Sequence, residues 1–202
     1  NLGVYVADIG YLSSYDKTQE AIDYLSACKT LADNLGLIGT FDSEVVKQFE
    51  RNITNKDSLA RLLDRTIKQT EAFLNDGNRN KLSSLVVTGS FIEGLFISTQ
   101  LVKSYPKDIL PEDSRNLVLT PIMRVILEQK KAVSELVKML KSVDQTEPIT
   151  TLLKDLQALE AAYQKLNIEE QISKNRADLI LSDTSLAEIT SIVQKLRAEI
   201  TQ

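Results

Sequence analysis

Hydrophobic residues recur at every third or fourth position along most of this chain, which is the spacing of amphipathic α-helices. Only 7 Gly and 4 Pro interrupt the 202 residues, and Leu, Ile, Ala, Lys, Glu and Gln favour helix throughout. The predicted helices cover about residues 1–16, 16–35, 43–52, 55–74, 81–103, 113–141, 149–166 and 184–200. The pattern therefore predicts an all-α protein.

Two of these helices have buried faces that the spacing defines clearly. The helix over 16–35 is followed by Gly36, a natural C-terminal stop. The helix over 113–141 contains Pro121 near its start. The expected buried stripe of the first is Ala21, Leu25, Cys28, Ala32 and Leu35. The expected buried face of the second is Val118, Ile122, Val125, Ile126, Val133, Leu136, Val137 and Leu140. Because proline is best tolerated in the first turn of a helix, we expect the regular helix to start nearer Leu119.

The chain length suits one large domain or two small ones, with a sizeable core. We predict a single multi-helix, orthogonal or bundle-like domain over 1–202, arranged around a buried central helix at about 81–103. Polar SKNR between two apolar runs predicts a small β-hairpin near 167–182. We also expect an anchor or linker segment upstream of Asn1.

The central helix contains LVVTGSFIEGLFISTQLV, the least polar run of the chain. A helix that is apolar all round is usually buried. Ser90, Gly94 and Ser98 are spaced four apart, so small residues line up and predict the close approach of a neighbouring helix. A membrane span is the alternative, but Glu93 and Gln100 are unfavourable at bilayer depth. We therefore predict a soluble core helix.

The carboxylate of Glu93 needs a reason to lie in such a helix, because a buried charge is costly unless it is paired. Three roles are open. Glu93 pairs with a cation or a tyrosine hydroxyl inside the domain, or it lines a pocket and holds a cationic or hydroxylated ligand, or it transfers protons.

A second polar group lies near the N-terminus, where Asp8, Tyr11 and Tyr15 share one helical face. One interpretation is an aromatic lid whose hydroxyls satisfy a partly buried Asp8. The other is one wall of a ligand cleft that is shared with Glu93. Asp8, Tyr11 and Glu93 are thus the candidate residues for a ligand site or a polar core.

Composition excludes several function classes. Without histidine the chain lacks the commonest general base and zinc ligand, and the single Cys28 is expected to be buried and inert. The net charge of −4, with interleaved signs, argues against nucleic-acid binding. No motif predicts a metal, a cofactor or a catalytic residue.

Three segments resemble blocks of a known family: NLGVYVADIGYLSSYDKTQEAIDYL, NKDSLARLLDRTIKQTEAFL and VVTGSFIEGLFISTQL. This family consists of predicted lipoproteins of unknown function from Bacteroidetes. The resemblance covers mainly the first half of the chain, and Phe91 stands where the family pattern has Trp more often. It implies a mostly helical protein in the cell envelope, anchored by a lipid on a cysteine upstream, and it implies no activity.

Taken together, these observations favour a non-catalytic interaction or scaffold module of the cell envelope, with a protein partner. The alternative is a small-molecule-binding helical domain with a polar pocket around Glu93 and Asp8. A scaffold predicts an exposed apolar patch or a dimer. A binding domain predicts a concave pocket with Glu93 on its wall. Membrane association is expected only through the upstream lipid anchor.

Overall fold

The computed structural model describes residues 1–37, 43–52, 55, 58, 61–62, 65, 68, 79–106, 109–166 and 184–202. The regular structure of these residues is helical, which confirms the all-α prediction. The chain divides into two compact units, Asn1–Gly94 and Leu95–Gln202, and each is described by itself. The single domain over 1–202 stays a prediction. The hairpin expected near 167–182 and most of the helix expected over 55–74 lie outside the described residues.

The first unit contains α1 (Leu2–Ser14), α2 (Thr18–Asn34), α3 (Ser43–Asn52) and the first part of α4 (Asn80–Ser104). Helix α2 packs against both α1 and α3. These helices share a core of fully buried apolar side chains: Leu2, Ile9, Ala21, Leu25, Cys28, Ala32, Leu37 and Phe49.

The end of α2 follows the predicted stop signal. Gly36 has a φ of +71°, a conformation that glycine adopts without a Cβ penalty. The turn lets the amide of Leu37 donate to the carbonyl of Ala32 at 2.8 Å, and Leu37 is buried. Leu35, expected in the buried stripe, is instead 41% exposed. The reason is the turn itself, since it carries Leu37 into the core in place of Leu35.

Helices α1 and α4 cross in backbone contact within the first unit. A Cβ added to Gly3 would lie 2.0 Å from the carbonyl oxygen of Val86 and 2.7 Å from the amide nitrogen of Ser90. On the facing side, a Cβ on Gly89 would lie 3.6 Å from the amide nitrogen of Val4. Gly3 permits this approach and Gly89 borders it, so both glycines have a packing role at the crossing.

Helix α4 confirms the long apolar helix predicted over 81–103. It is long and apolar enough to cross a membrane by length and composition alone, a property that core helices of soluble proteins share. Its burial is one-sided: Ile92 is buried, whereas Val87 is 37% exposed. Gly94 is also exposed, and an added Cβ there would meet no atom of the described residues within 4 Å. The close packing expected along Ser90, Gly94 and Ser98 is therefore not seen at its centre within the described part of the chain.

The second unit contains the end of α4 and helices α5 (Glu112–Leu127), α6 (Lys130–Lys141), α7 (Ile149–Lys165) and α8 (Thr184–Ile200). Helix α7 packs against α6 and α8. The core of the second unit consists mainly of buried apolar side chains and one buried tyrosine: Leu119, Met123, Ile126, Val133, Val137, Leu140, Ile149, Leu156, Leu159, Tyr163, Ile189, Val193 and Leu196.

The long helix expected over 113–141 is two helices, and the first begins at Glu112 rather than near Leu119, with Pro121 in its interior. The chain turns at Glu128 and Gln129, and α6 begins at Lys130. Val118 and Val125, expected to be buried, are 43% and 53% exposed, whereas Leu119 and Met123 are buried. The helical spacing of the sequence continues across this break, and the buried face predicted for α5 is right at Ile126 and wrong at Val118 and Val125. The predicted face of α6 is confirmed, with Val133, Leu136, Val137 and Leu140 buried.

Two polar contacts hold the helices of the second unit. The hydroxyl of Tyr163, which is fully buried, donates to the carbonyl of Ile126 at 2.7 Å. The ammonium of Lys195 donates to both carboxylate oxygens of Asp155, at 2.8 and 2.7 Å. Asp155 is buried, and its hydrogen bonds raise the pKa of Lys195. Both contacts join neighbouring helices of the second unit and stabilise their packing.

Candidate functional site

Of the residues predicted near the N-terminus, Asp8 and Tyr11 lie on α1 and Tyr15 directly follows it, and the two tyrosines are in contact. The rings of Tyr11 and Tyr15 lie 4.9 Å apart between centroids, and Tyr15 is 58% exposed. Desolvation raises the pKa of Tyr11, and the charge and hydroxyl of Tyr15 add to the shift. The predicted shared face of these tyrosines is confirmed, and it lies at the surface of the unit.

Asp8 is half-buried and lies near Cys28, which is fully buried in the core of the first unit. Burial raises the pKa of the Cys28 thiol to about 12, and the negative charge of Asp8 adds to this shift. A thiol with a raised pKa is mostly protonated at physiological pH, which makes it a poor nucleophile. The predicted burial of Cys28 is confirmed, and its inertness stays a prediction.

Glu93 lies on α4, one turn after Gly89, and only 2% of its surface is exposed. It has a polar or electrostatic partner in the structure. Asp8, Tyr11 and Glu93 thus belong to the same unit, but only Glu93 is fully buried. A groove that the structure does form is lined by residues of α4 and α8 in the second unit, and none of these three lines it. A shared ligand cleft for the three residues stays a prediction.

A different feature stands out on α5. Leu117 is 64% exposed, Val118 43% and Val125 53%, and Pro121 between them is also exposed. Positions 117, 121 and 125 are spaced four apart, so their side chains form one row along the helix, and Val118 widens it. We call these four residues the α5 stripe.

The α5 stripe is an unusual surface because its apolar residues are contiguous. Single exposed aliphatic side chains are ordinary, whereas a continuous row on one helix face is typical of an interaction site. Charged, exposed Asp113 and Arg124 stand beside it. An aliphatic row with charged neighbours can bury apolar area against a partner helix, and it offers no group for acid–base chemistry.

The sequence contained a signal for this stripe that the periodicity obscured. Pro121 lies inside α5, where it removes one backbone donor. A helix tolerates that loss best on a face open to water, so Leu117 and Val125, one turn to either side, belong to an exposed face. The position of Pro121 therefore predicts that Leu117 and Val125 lie on the solvent-exposed face of α5.

Metal and catalytic chemistry find no support in the described part of the chain. Among those residues, no group of three or more Cys, Asp or Glu side chains is placed to hold a metal ion. Comparisons of the chain with known protein families, with curated proteins and with solved structures gave no match. The α5 stripe and the groove beside α8 are therefore the candidate binding surfaces of the described residues.

Proposed function

We propose that this protein is a non-catalytic interaction module that binds an amphipathic helix of a partner protein along the α5 stripe. The observation that carries the proposal is the exposed row of Leu117, Pro121 and Val125 with Val118 beside it. Residues spaced four apart form the ridges that interdigitate when two helices pack. The charged neighbours Asp113 and Arg124 would help to orient the partner.

The energetics of such a contact follow from the exposed area. Full burial of a Leu or Val side chain contributes about 1.5–3 kcal/mol, and Leu117 and Val125 each expose more than half of theirs. Losing both contacts should therefore weaken binding by roughly 30- to 150-fold, or about 2–3 kcal/mol.

A lipid-anchored position in the cell envelope is part of the proposal. It is supported by the resemblance of the first half of the chain to predicted Bacteroidetes lipoproteins. Labelling cells with an alkyne fatty acid, followed by isolation of the full-length gene product, tests this point. Label on an upstream cysteine is expected, and unlabelled product in the cytoplasmic fraction would contradict it.

Site-specific photo-crosslinking in living cells tests the interaction. A benzophenone amino acid is placed at Leu117 and, as a matched control, at exposed Lys141 at the end of α6. We expect a discrete crosslinked product from position 117 and none of the same mass from position 141. The product should disappear when Val125→Gln is added, because this change removes apolar area and keeps a good helix former.

The replacements at Leu117, Lys141 and Val125 are all at exposed positions and should change the free energy of unfolding by no more than about 0.5 kcal/mol. Loss of the crosslinked product is therefore loss of binding. A crosslinked mass of twice the chain would identify a second copy as the partner. Identical products from positions 117 and 141, or a product that survives Val125→Gln, would contradict the proposal.

A further inference from the structure

Helices α4 and α8 border an open groove of about 340 Å³ in the second unit. Its described lining from α4 is Thr99, Val102 and Lys103, and from α8 it is Leu186, Ala187, Thr190, Ser191 and Gln194. Val102 and Leu186 are buried and form an apolar floor. A groove of this volume lies at the lower end of the range for small-molecule sites.

The polar groups of the groove divide into satisfied and available ones. The hydroxyl of Thr99 donates to the carbonyl of Phe96, and that of Thr190 donates to the carbonyl of Leu186, both at 2.8 Å. These two protons are already used within their own helices. Lys103, Ser191 and Gln194 line the same groove and carry further donors.

The charged side chain among the described residues that line the groove is a cation, Lys103. Lys103 is exposed, and among the described residues no carboxylate lies within ion-pair distance of its ammonium. No Asp or Glu is among the described residues that line the groove. The lining thus combines a cation and hydroxyl and amide donors with an aliphatic floor, which complements an anion that carries an apolar body.

We propose that this groove binds a small aliphatic carboxylate. Lys103 Nζ holds the carboxylate, Ser191 and Gln194 donate to its oxygens, and a short alkyl chain lies on Val102 and Leu186. The site is separate from the α5 stripe, so the inference does not depend on the proposed interaction function. It also differs from the polar pocket that the sequence predicted around Glu93 and Asp8.

The test is an NMR titration of the uniformly ¹⁵N-labelled chain with three probes of similar length: hexanoate, hexylammonium and hexanol. We expect saturable shifts of the amides of Lys103, Ala187 and Ser191 with hexanoate only. Because salt screens an exposed charge pair, binding should weaken as sodium chloride is raised.

Two variants test separately the charge of Lys103 and the open volume of the groove. Lys103→Gln should weaken hexanoate binding about fivefold, the upper range for an exposed ion pair, while Lys141→Gln should leave it unchanged. Ala187→Leu fills the groove at an exposed position and should abolish the shifts with Lys103 intact. Equal shifts with hexylammonium or hexanol, unsaturable shifts, or unchanged affinity in Lys103→Gln would overturn the proposal.

Discussion

Replacing Gly3 with alanine tests the backbone contact between α1 and α4. The new Cβ would lie 2.0 Å from Val86 O, and it must reach at least 3.0 Å, so the helices must separate by about 1 Å. The obstacles are backbone atoms, so no side-chain rotation can relieve the clash. Overpacking of this kind costs about 1–3 kcal/mol, and the upper end applies where a whole helix has to move.

Helix propensity acts in the opposite direction. Alanine is about 1 kcal/mol better than glycine inside a helix, so the net loss for Gly3→Ala is about 2 kcal/mol. Gly10→Ala is the matched control, because Gly10 lies in the same helix and its added Cβ meets no atom of the described residues within 4 Å. That variant should gain up to about 1 kcal/mol.

Urea unfolding followed by circular dichroism at 222 nm and by tyrosine fluorescence measures both changes. Two probes are needed because the chain has two compact units, and they report whether the transition is a single step. The midpoint of Gly3→Ala should fall and that of Gly10→Ala should rise. If Gly3→Ala were as stable as Gly10→Ala, the close crossing of α1 and α4 would be refuted.

Three further changes test the core and its titrating groups. Cys28 should react with a thiol reagent only at the rate of unfolding, and native reaction as fast as in urea would contradict its burial. Its raised pKa also predicts that stability falls between about pH 9 and pH 12, by up to about 1.4 kcal/mol per pH unit, because the unfolded thiol ionises first. Tyr163→Phe should cost about 0.5–1.5 kcal/mol in urea unfolding, and Tyr15→Phe at the surface should cost nothing measurable. Glu93→Gln should cost about 1–3 kcal/mol, against no change in exposed Glu135→Gln. A Glu93→Gln variant of full stability that loses a bound mass in native mass spectra would instead identify Glu93 as a ligand contact.

Helices whose signals are local were predictable from the sequence. The end of α2 depends on Gly36, whose positive φ is a property of the residue itself. The helix predicted over 184–200 likewise needs only its own spacing, and α8 has Leu186, Ile189, Val193 and Leu196 buried along it. Local chemistry determines these features, so no knowledge of the neighbouring helices was needed.

Features that depend on a partner segment were not predictable. Gly89 and Gly94 look alike in the sequence, yet among the described residues it is Gly89 that faces another helix, because α1 crosses α4 at that level. Gly3 permits the closest approach of α1 and α4, but nothing in the sequence of this short helix indicates which glycine lies at a helix crossing. The break between α5 and α6, at Glu128 and Gln129, is marked by no proline or glycine, so the sequence predicts one continuous helix. The spacing along that continuous helix places Val118 and Val125 on its buried face, and it does not predict the exposed α5 stripe.

The proline inside α5 imposes a requirement on any molecule that covers the stripe. Pro121 has no N–H, so the carbonyl of Leu117 does not receive the usual hydrogen bond from the residue four positions later. In the uncovered protein, water can satisfy this oxygen because Leu117 is exposed. Once the stripe is covered, an unsatisfied carbonyl would cost about 1–3 kcal/mol. A tightly binding partner should therefore place a serine, threonine, asparagine or lysine opposite Leu117, and a purely aliphatic helix of the same shape should be rejected.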